Sequence, residues 1–158
     1  MYKGVIFDLD GVLCHTDRFH YRAWKKVADE IGVPFDETVN RRLRGVSRLE
    51  SLEIILEKSR ETFSEEQKEQ LAEEKNTYYR TLLSEMTPAD MEPAVREMLQ
   101  ELRAHGIQIA VGSSSKNAPF IIERLGAEKA FDAVCDGTMI THSKPHPEVF
   151  LKAAQALG

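Results

Sequence analysis

Cysteine is almost missing from this chain. Cys14 and Cys135 are the only two; they lie far apart and form no CxxC pair, so neither a disulfide framework nor a zinc site is expected, and a reducing compartment is. Long apolar runs are missing too. The N-terminus reaches charged Asp8 after Gly4-Val5-Ile6-Phe7, far short of a signal peptide or a membrane span, which points to a cytoplasmic protein. Positive charge is in deficit: 21 Lys and Arg face 26 Asp and Glu, a formal charge of −5. Such a surface has no general attraction for nucleic acid or an anionic membrane, so neither is expected as a partner, and an anionic ligand has to be met by a local cluster. There is no internal repeat and no low-complexity tract. What remains, 158 residues of which 42% are hydrophobic, is enough for one folded domain or a lean core carrying a small inserted module.

Three short apolar runs, Val5–Phe7, Ile107–Val111 and Phe131–Cys135, are brief, β-branched or aromatic, and stopped by polar turns, as buried parallel strands are. An amphipathic helix precedes the second: Val95, Met98, Leu99 and Leu102 share one face of Pro93–Arg103, with Gly106 placed to end it. Another, Asn117–Leu125, precedes the third, with Pro119 in its first turn and Gly126 as its stop. A last helix opens at Pro147-Glu148. Alternating strands and helices predict a doubly wound, Rossmann-like α/β core, in which ligands sit beyond the carboxyl ends of the strands. From the first strand to Pro88 no strand signal occurs. Asp17–Ile31, Ser47–Lys58 and Ser64–Leu83 all look helical, with capping boxes at Ser47-x-x-Glu50 and Ser64-x-x-Gln67, so this stretch is expected to be an inserted helical cap. The expected division is a core from residues 1–13 and 88–158, incomplete at its C-terminal side, and a cap from residues 14–87. The charged run Glu65–Lys75 reads as a solvated helix face.

The chemistry follows the strands. Asp8-Leu9-Asp10-Gly11 brings two carboxylates to the edge where ligands bind. Asp-Gly is also a common turn dipeptide, and the tetrapeptide alone leaves that reading open. A carboxylate here can attack a phosphoryl group if Mg²⁺ and other cations offset the repulsion of two anions; Asp8 is placed for that. Asp10, two residues on, can serve as general acid and base. After the second strand, Gly112-Ser113-Ser114-Ser115-Lys116-Asn117 offers hydroxyls and free N–H groups at a helix start, a suitable phosphate cradle, though Ser-rich loops are common. After the third, Ser143-Lys144-Pro145 supplies a lysine that could neutralise phosphate and nucleophile. Order carries the weight: acids, then hydroxyls, then a lysine, all at one sheet edge.

These elements resemble the haloacid dehalogenase-like superfamily of phosphotransferases, whose first three motifs look like Phe7-Asp8-Leu9-Asp10-Gly11-Val12, Ser113 and Lys144-Pro145. Closer detail is similar to its sugar-phosphate mutase branch: Thr16, His20, Ala23-Trp24, Leu43-Arg44-Gly45-Val46-Ser47-Arg48, Lys75-Asn76, Ser113 to Asn117 and Ser143-Lys144-Pro145. The resemblance implies that Asp8 is the phosphorylated nucleophile and a Mg²⁺ ligand. Asp10 is implied as the acid/base, with its carbonyl on the metal, and Ser113 and Lys144 as the holders of the transferring phosphate. Arg48, Ser115, Lys116 and Asn117 are implied to grip the sugar's other phosphate. His20 and Lys75 would pair with the acid/base as the cap closes, Thr16 lies in the hinge, and Trp24, Gly45, Val46 and Ser47 complete the implied substrate contacts. Read singly, His20 fits a surface helix residue, Trp24 a core residue and Arg48 a solvated charge. His15 stands where the family often has an acid, a change expected to affect the hinge. His105, His142 and His146 show no metal-ligand spacing and are expected to be structural or exposed.

The family's fourth motif, one or two acids after a further strand that complete the Mg²⁺ site, does not occur before Ala156-Leu157-Gly158. The expectation is therefore a fragment of an enzyme, with weak Mg²⁺ affinity and an open sheet edge through which copies could self-associate. Three functions compete. One is a mutase interconverting β-glucose 1-phosphate and glucose 6-phosphate through an aspartyl phosphate and a sugar bisphosphate; another is a sugar-phosphate phosphatase of the same fold. The third is a non-enzymatic phosphate-binding module.

Overall fold

The sheet has three parallel strands, and their register decides which side chains meet. In the computed structural model, which describes residues 2–158, β1 (Gly4–Phe7) leads into four helices, α1 (Asp17–Glu30), α2 (Glu37–Arg42), α3 (Arg48–Leu56) and α4 (Glu65–Leu83). Then come α5 (Pro93–Ala104), β2 (Gln108–Gly112), α6 (Ala118–Arg124), β3 (Ala133–Cys135) and α7 (Glu148–Leu157). The strand order is β1-β2-β3. Phe7 pairs with Val111 and Val111 with Val134, so all three strands run out at one level. The loops beginning at Asp8, Ser113 and Asp136 therefore leave from the same edge. The parallel sheet, its helices and the α/β class are as the sequence pattern predicts.

By packing, the chain falls into two compact units. One comprises the chain up to Thr16 together with Ser84–Gly158; the other is Asp17–Leu83. The crossings lie a few residues from the expected 13/14 and 87/88.

In the first unit β2 is the central strand, with Ile109, Ala110 and Val111 wholly buried, as expected of a strand covered on both faces. Ala110, Cys135, Val149 and Ala153 form one core cluster of this unit, with Ile6, Ala133, Ile140 and Leu157 packed against it. Each large apolar side chain buried in this way contributes ~1.5–3 kcal/mol. Gly106 ends α5 in the left-handed region (φ 71°), and the Ile107 N–H turns back to the Leu102 carbonyl at 3.0 Å, so the chain enters β2 through a glycine-dependent stop. The strand bounds shift slightly from expectation. Phe131 and Asp132 lie outside β3 because the Asp132 carboxylate accepts the Ile109 N–H at 2.7 Å, a side chain standing in for a ladder carbonyl. At the start of α7, Glu148 accepts the N–H groups of Thr141 (3.0 Å) and His142 (2.8 Å). These bonds, with Lys152, hold its carboxyl down at about 2.

The helical unit has its own core of Trp24, Ala28, Val33, Phe35, Val39, Leu43, Leu52, Ile55 and Ala72. α1 buries Phe19, Ala23, Trp24, Val27 and Ala28, the spacing of one helical stripe. Both expected capping boxes form: Ser47 with Glu50, and Ser64 N–H to Gln67 Oε1 at 2.8 Å with Gln67 N–H to Ser64 Oγ at 3.2 Å. α2 is an addition to the sequence reading. It buries only Val39, too little for an apolar period to show, and it starts on Asp36, whose side chain accepts the Val39 N–H at 2.9 Å. The run Glu65–Lys75 needs a correction as well. Most of it is solvated, but Lys75 is only 4% exposed, because it lies on the same face of α4 as Ala72 and Tyr79. Among the described residues no helix is long and apolar enough to cross a membrane.

Candidate active site

Asp8 is the first residue beyond β1. Its carboxylate accepts the Leu9 N–H at 2.8 Å and pairs with the Lys144 ammonium at 2.7 Å. Lys144 also donates to the Gly112 carbonyl at 3.1 Å and lies 4.7 Å from the centre of the Phe150 ring. The ends of β1 and β2 and the segment before α7 thus meet at one ammonium group. Both partners are partly open to solvent, so the ion pair adds at most about 1 kcal/mol to folding. Its consequence is placement of charge.

Ser113 is buried beside this pair. Its N–H donates to the Cys135 carbonyl at 2.9 Å, and its hydroxyl accepts the Ser115 N–H at 3.2 Å. The Ser115 hydroxyl in turn accepts the Asn117 N–H at 3.1 Å, so two successive side-chain turns curl the loop. The loop after β3 clamps it. Gly137 N–H donates to the Ser115 carbonyl at 3.1 Å, and a Cβ on Gly137 would stand 2.2 Å from the Ser114 carbonyl oxygen, which no side chain could tolerate. Asp136, also buried, fixes that clamp by accepting the Thr138 N–H (2.7 Å) and hydroxyl (2.6 Å).

Asp10 sits in a tight loop. The Leu9 carbonyl accepts the Leu13 N–H at 2.9 Å, and the Gly11 N–H donates to the Cys14 carbonyl at 2.7 Å. The Thr16 hydroxyl donates to the Asp10 carboxylate. The Cys14 thiol next to this loop is pushed up to about 12, by burial first and then by the carboxylates of Asp10, Asp90 and Asp8. That shift reflects the buried position of the thiol first and the neighbouring carboxylates second.

A second polar cluster lies within the helical unit. Lys75 Nζ is 3.0 Å from His20 Nδ1, 4.3 Å from the centre of the Tyr79 ring and 5.0 Å from that of Trp24. His20 stacks on Tyr79 with centroids 4.1 Å apart. Burial, then the charges of Lys75 and Arg48, push the His20 imidazole well below its ordinary value. Its Nδ1 lone pair therefore accepts from the ammonium, and Nε2 carries the proton. Arg48, at the start of α3, donates to Asn76 Oδ1 at 3.0 Å and lies 3.5 Å from Glu73. Three nitrogenous groups from three helices are thereby gathered in one unit.

The haloacid dehalogenase-like hydrolase family matches residues 2–158. This chain is a member of that family. It is 43% identical to β-phosphoglucomutase of Bacillus subtilis (strain 168) over 157 residues, 98% of this chain and 70% of that protein. It is 34% identical to the phosphorylated carbohydrates phosphatase of Thermotoga maritima, over 99% of this chain and 71% of the relative. Among solved structures, β-phosphoglucomutase from Clostridium difficile superposes with a TM-score of 0.90 at 42% identity, covering 99% of this chain and 71% of its own. The chain is thus a haloacid dehalogenase-like enzyme whose relatives include a β-phosphoglucomutase and a phosphorylated carbohydrates phosphatase.

The residues singled out from the sequence fall into three groups. Asp8, Lys144 and the Ser113 loop come together at the strand ends, with Asp10 in the adjoining loop. His20, Lys75 and Arg48 cluster in the helical unit. The remaining residues lie around these clusters. Thr16, expected among the substrate contacts, is buried and uses its hydroxyl on Asp10. Trp24 belongs to the core and touches the cluster through Lys75. Ser47 is the cap of α3, while Gly45 and Val46 lie in the turn before it. Of the loop after β2, Asn117 is buried, Ser115 half-buried and Lys116 exposed. Sequence reasoning missed Tyr79, Phe150 and Gly137. Tyr79 was findable four residues after Lys75 on the same helix; nothing in sequence marks the contact that Gly137 makes. The histidine reading is also corrected: His142 and His146 are exposed as expected, but with Glu148 they offer ligand atoms within 4.8 Å of one another, a proximity created by the turn before α7.

Proposed function

We propose that this protein transfers a phosphoryl group through Asp8 between the 1- and 6-positions of glucose, as a β-phosphoglucomutase. The observation that carries the reading is the Asp8–Lys144 pair at 2.7 Å, set beside the Ser113 loop at the carboxyl edge of the sheet. An Asp8 carboxylate oxygen attacks phosphorus, the bond from phosphorus to the sugar oxygen breaks, and Asp10 gives that oxygen its proton. In the reverse half, a sugar hydroxyl attacks the acyl phosphate while Asp10 takes the proton, and Asp8 is regenerated. Lys144 and the curled Ser113–Asn117 loop offset the charge of the transferring group. Thr16 orients Asp10.

The donor set suits Mg²⁺, a hard cation that takes oxygen ligands. The Asp8 carboxylate and the Asp10 carbonyl would hold it. When bound, Mg²⁺ would supply further neutralisation of the phosphoryl oxygens. Arg48 with Ser115, Lys116 and Asn117 would grip the second phosphate of the bisphosphate, and His20 with Lys75 would engage the acid/base on closure, excluding water.

The phosphatase reading keeps the same first half-reaction and differs in the acceptor; the 34% identity to a phosphorylated carbohydrates phosphatase favours it. Phosphorus NMR of the protein with β-glucose 1-phosphate, Mg²⁺ and a catalytic amount of glucose 1,6-bisphosphate separates the two. Glucose 6-phosphate is the expected product. Inorganic phosphate without it would overturn the mutase reading and leave the phosphatase.

A further inference from the structure

The segment between β3 and α7 carries a cluster that phosphoryl transfer does not use. His142, His146 and Glu148 each present a ligand atom within 4.8 Å of the others, and the two imidazole rings lie 4.7 Å apart between centroids. Glu148 is fixed on both oxygens. One accepts the Thr141 N–H at 3.0 Å and meets the Lys152 ammonium at 3.1 Å. The other accepts the His142 N–H at 2.8 Å and lies 3.1 Å from its ring Nδ1. In the Nε2–H tautomer the Nδ1 lone pair of His142 faces this same Glu148 oxygen, so a cation can sit between the two ligand atoms. The His146 ring Nδ1 accepts a long 3.3 Å contact from the Glu148 N–H. Both rings are exposed, so small rotations can close the spread to the roughly 3.3 Å between ligands that bonds of about 2.0–2.1 Å to a tetrahedral ion require.

We propose that His142, His146 and Glu148 form a binding site for a borderline divalent transition cation such as Zn²⁺, separate from the oxygen donors at Asp8 and Asp10. Two imidazoles and one carboxylate select Zn²⁺ over Mg²⁺, which prefers an all-oxygen octahedron. The cluster brackets Lys144, so a bound cation braces the segment that presents this lysine to Asp8.

The test is calorimetric titration of ZnCl₂ into the full chain in excess Mg²⁺. One Zn²⁺ per chain is expected, with affinity falling roughly 10- to 100-fold in His142→Ala/His146→Ala and holding in His105→Ala. Unchanged affinity in the double variant, or displacement of Zn²⁺ by Mg²⁺, overturns the site. Imidazole proton NMR on the unmodified protein gives a readout free of any folding defect. Substoichiometric Zn²⁺ should move the signals of His142 and His146 among the five histidines; movement confined to His15, His20 or His105 overturns the proposal. Neither readout depends on turnover, so its failure is distinct from failure of the mutase reading.

Discussion

Lys144 and Lys75 are both held against aromatic rings, yet they differ in burial. Lys144 keeps a carboxylate partner, Asp8, at 2.7 Å and remains partly solvated. Lys75 is only 4% exposed, and its head group faces two rings and a histidine pushed toward neutrality. The first charge stands at the solvent boundary. The second is carried into the interior against its desolvation penalty, as ionisable groups at functional sites often are. The difference predicts that the two lysines fail in different ways when their charge is removed.

Lys144→Met should break function most, lowering phosphoryl-transfer turnover by roughly a hundred- to a thousandfold. Its denaturation midpoint should stay within about 1 kcal/mol of the parent, since the lost ion pair is partly exposed. Lys75→Met should reverse the pattern. Lys75→Met removes the donor to the buried His20 Nδ1, so the thermal midpoint is expected to fall by more than in Lys144→Met, while turnover falls by about tenfold or more. Should Lys75→Met melt with the parent, the contrast dissolves.

A smaller effect sharpens the same contrast through pH. His20 has a folded pKa below its ordinary 6.5, so near that pH the unfolded chain binds more protons than the folded one. Stability is then full above about pH 6.5 and is lost as the pH falls through it. The fall in thermal midpoint between pH 7.5 and 5.5 should be shallower in His20→Asn than in the parent, whereas the same scan on Lys144→Met should track the parent. The smallest effect concerns Cys14. Buried and raised to about 12, its thiol should resist aromatic disulfide reagents at pH 8 until denaturant is added.

The two lysines also show what can be read from sequence. Lys144 was legible because it stands just before the proline-started helix that follows the third strand, and the order of the strands brings Asp8, Ser113 and that segment to one sheet edge. Lys75 sits in a run of Glu and Lys that by composition is solvent-facing, and only its position three residues after Ala72 and four before Tyr79 hints at burial. Its candidacy came from the family resemblance, not from chemistry visible in the run. The capping boxes at Ser47 and Ser64 were legible because each is a local exchange of bonds between residues three apart. α2, the Gly137 clamp and the gathering of His142, His146 and Glu148 were not. The first is too short to show a period, and the other two arise from how loops fold back, which no pattern of residue types encodes.

The central claim is that Asp8 becomes covalently phosphorylated. The most direct measurement is rapid acid quench of the protein with Mg²⁺ and glucose 1,6-bisphosphate, followed by mass spectrometry of the peptide spanning Asp8. A phosphoryl group on Asp8 in the parent and none in Asp8→Asn is the expected result. Sustained turnover by Asp8→Asn, or a phosphoryl group on a different side chain, would contradict it.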